Sequence, residues 1–268
     1  MITLIDTHTH IDAPSFDADR GDLVAEAKKG GLVDALICSG IPGTFEKTRA
    51  VANEVGWHYA LGVHPLYIEE VSNVEAFLTT FTKTIENSLE DPLFAGVGEI
   101  GLDGFVLGLD KEKMLSLFRG QLKIARHFAL PVSVHARHAV DTVSREIARI
   151  PPTGGVVHAF NGSIEQAKRL LSLKMKLGFG GALTYEGSRR IRRAFVALND
   201  ADFVLETDAP DMPGATRRLA SDPRTHPADI FETLKVAAAL RSEAEETLSK
   251  LTKENALAAF PRLKMHLP

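Results

Sequence analysis

Residues 2–12, ITLIDTHTHID, join a short apolar run to two histidines that are separated by a single residue. The apolar run at residues 2–6 is typical of a buried strand. His8 and His10 follow it. Because alternate residues of an extended chain point the same way, both rings can reach a single ion. Two interpretations are open at this point: ordinary polar residues that close a strand, or the first two ligands of a metal site.

The same rhythm of short apolar runs and longer amphipathic segments continues along the chain. Candidate strands lie at residues 2–6, 33–39, 57–63, 93–98, 131–135, 154–160, 175–180 and 202–207. Helical spacing of apolar residues covers residues 75–90 and 111–129. Ser163, three residues before Gln166, fits a capping box at the start of a further helix.

Eight strands alternating with helices over 268 residues predict a (β/α)8 TIM-type barrel of the α/β class. An open doubly wound sheet is the alternative. Residues 227–260 predict two or three helices that complete the outer ring and cover the barrel rim. No domain boundary is visible, so residues 1–268 are predicted to form a single domain.

The composition is that of an ordinary globular protein, with 44% hydrophobic and 25% charged residues. No apolar stretch reaches the roughly 18–20 residues of a membrane helix, and the N-terminus does not resemble a secretory signal. The single cysteine, Cys38, cannot form an intramolecular disulfide. These features predict a cytoplasmic protein with no membrane contact and no obligate protein partner.

The net charge of −4 argues against a protein that coats nucleic acid non-specifically. Any nucleic-acid substrate is therefore expected to be held locally. The densest basic stretch, SRRIRRAF at residues 188–195, is interpreted as a solvated helix face rather than a nucleic-acid contact.

Histidines and carboxylates recur at the ends of the candidate strands. In a (β/α)8 barrel the carboxyl ends of all strands converge on one face, where active sites are built. The side chains expected to meet there as ligands are His8, His10, Glu99, His135, His158 and Asp208. Imidazole and carboxylate groups together suit Zn²⁺, Mn²⁺ or similar divalent ions. Six ligands are too many for one open catalytic ion, and they divide into two sets that share Glu99.

Seven stretches resemble, in order, the motifs of the TatD family of metal-dependent deoxyribonucleases, within the amidohydrolase-like superfamily of hydrolases. They are DTHTHID, LGVHP, VGEIGLD, PVSVHAR, VVHAFNGS, GFGG and LETDAPDMP. The last stretch carries Asp211 where many members have an aromatic residue, which resembles a sub-branch of uncharacterised hydrolases. His138 and the sequence THP at residues 225–227 also depart from the family pattern, and these departures touch the expected substrate rim.

The resemblance implies a TIM-type barrel with two divalent ions, Mg²⁺, Mn²⁺ or Zn²⁺. It assigns one ion to His8, His10, Glu99 and Asp208. It assigns the other ion to Glu99, His135 and His158, so that Glu99 is the bridge.

The mechanistic hypothesis is hydrolysis by a hydroxide generated between two ions, with Glu99 and Asp208 as catalytic residues. Asp208 would orient the nucleophile and accept its proton, and a helix N-cap is its structural alternative. His64 and Arg137 are candidate substrate-binding residues. Their alternatives are a backbone hydrogen bond for His64 and an ion pair at the rim for Arg137.

Several further residues receive structural or supporting interpretations. Asp103 is expected either to orient a ligand histidine or to cap the following segment. Asn161 is a candidate for substrate binding or capping, and Ser163 for capping. The remaining histidines are interpreted as surface or packing residues: His58, His127, His138, His226 and His266.

Three functions follow from this pattern. The first is a phosphodiesterase that cleaves DNA from strand ends, with DNA or a small phosphoester as its substrate. The second keeps the metal centre and hydrolyses a small amide, lactone or ester, because one fold hosts many chemistries. The third is a non-catalytic metal-binding scaffold.

Overall fold

A computed structural model describes residues 2–265 of the chain, with the side chains of the last two of these residues excepted. The strands are β1 (Leu4–Thr9), β2 (Leu32–Cys38), β3 (His58–Leu61), β4 (Phe94–Asp103), β5 (Val132–Arg137), β6 (Gly155–Val157), β7 (Met175–Phe179) and β8 (Phe203–Leu205). The α-helices are α1 (Arg20–Gly30), α2 (Phe45–Val55), α3 (Val74–Ser88), α4 (Lys111–His127), α5 (Val140–Arg149), α6 (Ile164–Ser172), α7 (Arg189–Val196), α8 (Ile230–Arg241) and α9 (Glu245–Ala259).

The eight strands form one parallel sheet in the order β1 to β8. The sheet closes between β8 and β1. The amide of Asp208 donates to His8 O (2.9 Å), and the amide of His10 donates to Ala209 O (2.7 Å). The buried carboxylate of Asp6 strengthens this seam, because it accepts hydrogen bonds from the amide of Thr207 (3.1 Å) and from its Oγ1 (2.5 Å). The predicted barrel is therefore confirmed, and the open doubly wound sheet is excluded.

The apolar residues form two clusters. The larger one lies between the strands and the surrounding helices. The smaller one fills the barrel, where side chains such as Ile5, Leu36 and Val204 meet Phe260 and Leu263 from the end of the chain. Asn255 of α9 donates to Phe203 O at the start of β8 (2.8 Å). Since these contacts lie at the amino-terminal ends of the strands, α9 and the residues after it close that end of the barrel.

All eight predicted strands are present, with different bounds. β4 extends to Asp103, five residues beyond its predicted end, so Glu99 lies inside the strand rather than after it. His8 also lies inside β1. Both predicted strands ended too early, because a polar residue after an apolar run is typical of the end of a strand. They are accommodated here because the barrel interior near its carboxyl end is polar.

The predicted capping box at Ser163 and the predicted helix in the basic stretch are both present. Ser163 accepts a hydrogen bond from the amide of Gln166, and the Gln166 side chain accepts one from the amide of Ser163, which completes the capping box of α6. The basic stretch forms α7, in which Arg189 and Arg190 are exposed. Arg192 instead donates to the backbone carbonyl of Leu183 (3.0 Å).

The C-terminal segment supplies α8 and α9. Helix α8 completes the outer ring, whereas α9 lies at the amino-terminal end of the strands. This differs from the predicted rim cover, because the apolar face of α9 packs against the inner cluster of the barrel. Among residues 2–265, the helices are all too short or too polar to cross a membrane.

Candidate metal centre

The six predicted ligands meet at the carboxyl ends of the strands. They come from β1, the segment just after β1, β4, β5, and the segments that follow β6 and β8. Five of the six line a cavity of about 720 Å³, and His8 lies fully buried behind them. The predicted convergence of these side chains is therefore observed, whereas their roles as ligands stay a prediction.

Glu99 lies at the middle of the cluster, and its two carboxylate oxygens face different histidines. Oε2 lies 3.2 Å from Nε2 of His8 and 3.2 Å from Nε2 of His10. Oε1 lies 3.1 Å from Nδ1 of His135 and 2.8 Å from Nε2 of His158. A carboxylate with this placement can bridge two ions, each held in addition by a separate pair of imidazoles.

Asp208 adds a second carboxylate on the side of His8 and His10. Its Oδ1 lies 3.6 Å from Nε2 of His8 and 3.4 Å from Nε2 of His10. Asp208 has a φ of 59°, and no helix begins there among the described residues. The alternative of a helix N-cap is therefore wrong for this residue, whose carboxylate points into the cluster.

The outward ring nitrogens of three ligand histidines have hydrogen-bond partners. Nδ1 of His10 donates to Cys38 O (2.6 Å), and Nδ1 of His8 lies 2.8 Å from Ser133 Oγ. Nε2 of His135 donates to Asp103 Oδ2 (3.0 Å). Partners of this kind fix the tautomer, so that the inward nitrogen carries a lone pair for a metal.

The inward nitrogens of the ligand histidines lie close together in pairs. Nε2 of His8 is 3.3 Å from Nε2 of His10, and Nδ1 of His135 is 3.3 Å from Nε2 of His158. The rings of His8 and His158 are stacked, with centroids 3.9 Å apart. Lone pairs converging in this way, around two carboxylates, fit divalent cations that accept nitrogen and oxygen ligands.

The protonation of the cluster follows from burial and from the carboxylates. Burial lowers the pKa of His8 to about 4. Burial also favours a lower pKa for His158, but the charge of Glu99 outweighs this effect and raises the pKa of that ring to about 9. Glu99 is buried too, yet the neighbouring His64, His158 and His8 hold its pKa well below its ordinary value. The site therefore keeps Glu99 ionised inside the protein.

Two buried acids, Asp6 and Glu206, lie beneath the cluster, and sequence reasoning missed Glu206. Burial raises the pKa of Glu206 to about 8 and that of Asp6 to about 7. Glu206 Oε1 accepts a hydrogen bond from the amide of Ala159 (2.5 Å) and lies 3.8 Å from Nδ1 of His158. The sequence signal for both acids is the alternation of side chains along an extended chain. Glu206 and Asp6 each precede a predicted ligand by two residues and therefore point to the same side as that ligand.

Gly178, in the GFGG stretch, makes room for Glu206. A Cβ at Gly178 would lie 2.0 Å from Glu206 Oε2, so a larger residue would displace the acid. The glycine of this motif therefore has a packing reason, which the sequence alone did not reveal.

His64 belongs to the cluster more closely than its predicted substrate role implied. Its Nε2 lies 3.2 Å from Glu99 Oε1, and its ring is 4.5 Å from that of His135. His64, Glu99 and His135 together could also hold an ion. However, Nδ1 of His64 accepts a hydrogen bond from the amide of Leu66 (3.2 Å). In the neutral ring Nε2 then carries the proton, which makes His64 a donor toward the cavity.

The second predicted substrate residue, Arg137, also lines the cavity. Among residues 2–265 it forms no ion pair, so the predicted rim ion pair is absent from the described structure. Its guanidinium instead lies over the ring of Phe105, with Cζ 3.7 Å from the ring centroid. Asn161 lines the same cavity, which leaves open its predicted role in substrate binding.

Asp103 performs both of its predicted roles. Besides accepting from His135, it accepts hydrogen bonds through Oδ1 from the amides of Phe105 (2.7 Å) and Val106 (2.9 Å). Burial opposes ionisation, but these hydrogen bonds lower its pKa below the ordinary value.

The other histidines in the described part of the chain lie on the surface or in the packing, as predicted. His127 and His138 are exposed, His58 is buried beside Asp34, and His226 is buried beside Asp222. His266 falls outside the described residues.

Comparisons with known proteins identify the family of the chain. The family described as "TatD related DNase" matches residues 5–261. An uncharacterised metal-dependent hydrolase of Haemophilus influenzae is 35% identical, over 95% of this chain and 98% of its own. A protein of Erwinia billingiae named 3'-5' ssDNA/RNA exonuclease TatD is 29% identical, over 96% of this chain and 98% of its own.

Solved structures extend the likeness to the fold. The crystal structure of the TatD homologue YjjV from Escherichia coli superposes with a TM-score of 0.89 and 31% identity. The match covers 96% of this chain and 98% of that one. Since the family match, the relatives and the fold agree over nearly the whole chain, the protein belongs to the TatD-related DNase family and is a metal-dependent hydrolase.

Proposed function

We propose that this protein is a phosphodiesterase that cleaves DNA from strand ends, using two divalent ions held by the six ligands. The placement of Glu99 carries the proposal, because each of its oxygens faces a separate pair of histidines. When bound, two such ions lower the pKa of a water molecule and neutralise the charge that builds on phosphoryl oxygens. Phosphodiester hydrolysis needs both effects.

Asp208 is the proposed proton acceptor. Burial raises its pKa, but the hydrogen bond from His10 and the charges of His158 and His8 outweigh this effect and keep it lowered. The carboxylate is therefore ionised at neutral pH and lines the cavity, where it can orient an attacking water and take its proton.

His64 and Arg137 are the proposed donors to the substrate phosphate. The Nε2–H of His64 lies at the cavity wall, 3.2 Å from Glu99 Oε1, and Arg137 presents a planar set of N–H groups. Lys47 lines the cavity as well. Arg137 places positive charge at the mouth of the cavity, which suits a local phosphate contact in a chain of net charge −4.

The shape of the barrel favours the end of a DNA strand as substrate over a long DNA duplex. The cavity opens at the carboxyl ends of the strands, and among the described residues α9 and the inner apolar cluster close the opposite end. The relative named as an exonuclease on single-stranded DNA and RNA supports the same substrate class.

Hydrolysis of a small amide, lactone or ester is the second candidate. Asp211 lines the cavity as an additional carboxylate beyond the six ligands. It adds negative charge beside the expected path of a polyanion, which favours an uncharged substrate.

An assay on end-labelled single-stranded DNA with Mg²⁺ or Mn²⁺ tests the proposal. Glu99→Ala is expected to reduce cleavage by on the order of 10³-fold, because the residues of such a centre act as a unit. It is also expected to lose bound metal, measured by elemental analysis. Glu186→Ala changes an exposed glutamate in a turn and is the matched control. It should retain both the cleavage activity and the bound metal. No release of nucleotides by the unmodified protein, together with turnover of a lactone or amide, would instead support the second candidate.

A further inference from the structure

We propose that Phe105 and Arg137 form a nucleotide subsite at the mouth of the cavity, in which Phe105 stacks on a base of a single-stranded end. Arg137 would hold the phosphate beside that base. The inference rests on the proposed function and deepens it, because it assigns the residues that would bind a base and its phosphate. Phe105 had no role in the sequence analysis.

The contact between the two side chains leaves both free to bind. The Arg137 guanidinium covers part of the Phe105 ring, with Cζ 3.7 Å from the centroid, while Phe105 is still 51% exposed. A cation–π contact uses the face of the guanidinium and leaves its N–H edges available. Within residues 2–265 the guanidinium donates no hydrogen bond and forms no ion pair. Its donors are therefore uncommitted at the edge of a cavity expected to take phosphate.

Hydrogen bonds connect the backbone of the subsite to the metal centre. The Asp103 carboxylate accepts hydrogen bonds from the amides of Phe105 and Val106 and, through its other oxygen, from the ligand His135. The amide of Gly104 donates to Arg137 O (2.7 Å) and prolongs the pairing of β4 with β5. One carboxylate thus connects the exposed aromatic ring to a ligand of the centre.

The chemistry of the mouth favours a single-stranded nucleic acid. Aromatic rings next to cationic side chains are the usual means of binding single strands, because every base offers a π-face and every linkage a negative charge. A second exposed ring, Tyr67, lines the cavity and lies 5.9 Å from the ring of His64. Tyr67 borders the cavity of the metal centre, and Phe105 contacts Arg137, which borders it too, so that a bound strand end could reach both rings.

Fluorescence anisotropy of the metal-loaded, full-length protein tests the subsite. The probe is a labelled single-stranded oligonucleotide with cleavage-resistant phosphorothioate linkages. Phe105→Ala is expected to raise the Kd about tenfold, as for the loss of one base-stacking residue. Phe105→Trp should restore the Kd to within twofold. Leu107→Ala is the matched control, because Leu107 is 92% exposed in the same loop.

A second probe separates stacking from indirect effects. On an oligonucleotide whose terminal residues lack bases, the penalty of Phe105→Ala should shrink to less than twofold. An equal penalty on both probes, or equal Kd values for the Phe105 and Leu107 variants, would overturn the inference. Because the measurement is of binding, tight binding that depends on Phe105 but is never followed by cleavage of ordinary DNA would contradict the proposed function instead.

Discussion

At the level of single residues, the arrangement around Glu99 sets the chemistry that the site can support. A carboxylate that is 2% exposed would normally be neutralised by desolvation. Here the surrounding histidines keep it ionised, and their outward nitrogens are tied to Ser133, Cys38 O and Asp103. The protein thus brings two ionised carboxylates and four imidazoles together at the point where cations are expected to bind.

Asp103→Asn tests the importance of these outward partners. The amide cannot accept the His135 N–H as strongly as the carboxylate does, so the ring is less well oriented. We expect a loss of about 10–100-fold in metal affinity or activity, as for other groups that orient metal ligands. Metal titration followed by the DNA assay measures both quantities.

Asp110→Asn is the matched control for this change. Asp110 caps α4 by accepting from the amides of Glu112 and Lys113, and it is exposed. Asparagine caps helices about as well as aspartate, so metal affinity should not change. Equal losses of metal affinity in the two variants would contradict a specific role of Asp103 in orienting His135.

The raised pKa of Glu206 predicts a pH-dependent stability of the metal-free protein. The folded chain keeps a proton up to about pH 8 that the unfolded chain releases above about pH 4.5. The free energy of unfolding should therefore fall as the pH rises between these values. Glu206→Gln removes this titration. Between pH 5 and 8, the free energy of unfolding of the variant should therefore rise by up to about a few kcal/mol relative to that of the unmodified protein.

Urea unfolding in the presence of a chelator measures this difference, and Glu146→Gln provides a control of opposite sign. Arg119 donates to both oxygens of Glu146 (2.8 and 3.0 Å) and lowers its pKa. That pair stabilises the fold above pH 4.5, and its contribution is lost as the pH falls. Parallel pH profiles for the unmodified protein and Glu206→Gln would contradict the assignment of a protonated Glu206.

At the level of elements, the strands were predictable because buried parallel strands are short, apolar and bounded by turn residues. Their bounds were less accurate where polar side chains enter the barrel. β4 was predicted to end at residue 98, but it continues to Asp103 because residues 100–103 pair with β5. The roles of α8 and α9 also differ, since a helical pattern shows an apolar face but not which cluster that face joins.

Phe260→Ala tests the closure of the barrel by α9 and the residues after it. Phe260 is fully buried against the inner cluster, so its truncation should cost about 3–5 kcal/mol. For a chain of this size that corresponds to a Tm lower by roughly 10 °C. Differential scanning calorimetry measures the shift.

Leu219→Ala is the control, because Leu219 is apolar but 88% exposed. Its Tm should stay within about 1–2 °C of the unmodified value. A similar Tm for the two variants would mean that Phe260 does not contribute to the closure.

At the level of the whole molecule, the barrel brings residues from both ends of the chain into one site. The seam between β8 and β1 places Asp208 beside His8, which lies 200 positions earlier in the sequence, and the Asp6 carboxylate holds the two strands together. The site can form only when the barrel closes. The family match over residues 5–261 is consistent with this dependence of the site on the complete fold.

The sequence by itself determined the barrel, the capping box at Ser163 and the six candidate ligands. These features are encoded locally, in hydrophobic periodicity and in polar residues that follow apolar runs. Only the tertiary structure decided which oxygen of Glu99 faces which histidines, that His64 donates through Nε2, and that Phe105 lies under Arg137. The contacts of Glu99 and Phe105 join side chains from different strands or loops, and the spacing of residues along one segment contains no information about them. The tautomer of His64 depends on the folded conformation that brings the amide of Leu66 to Nδ1.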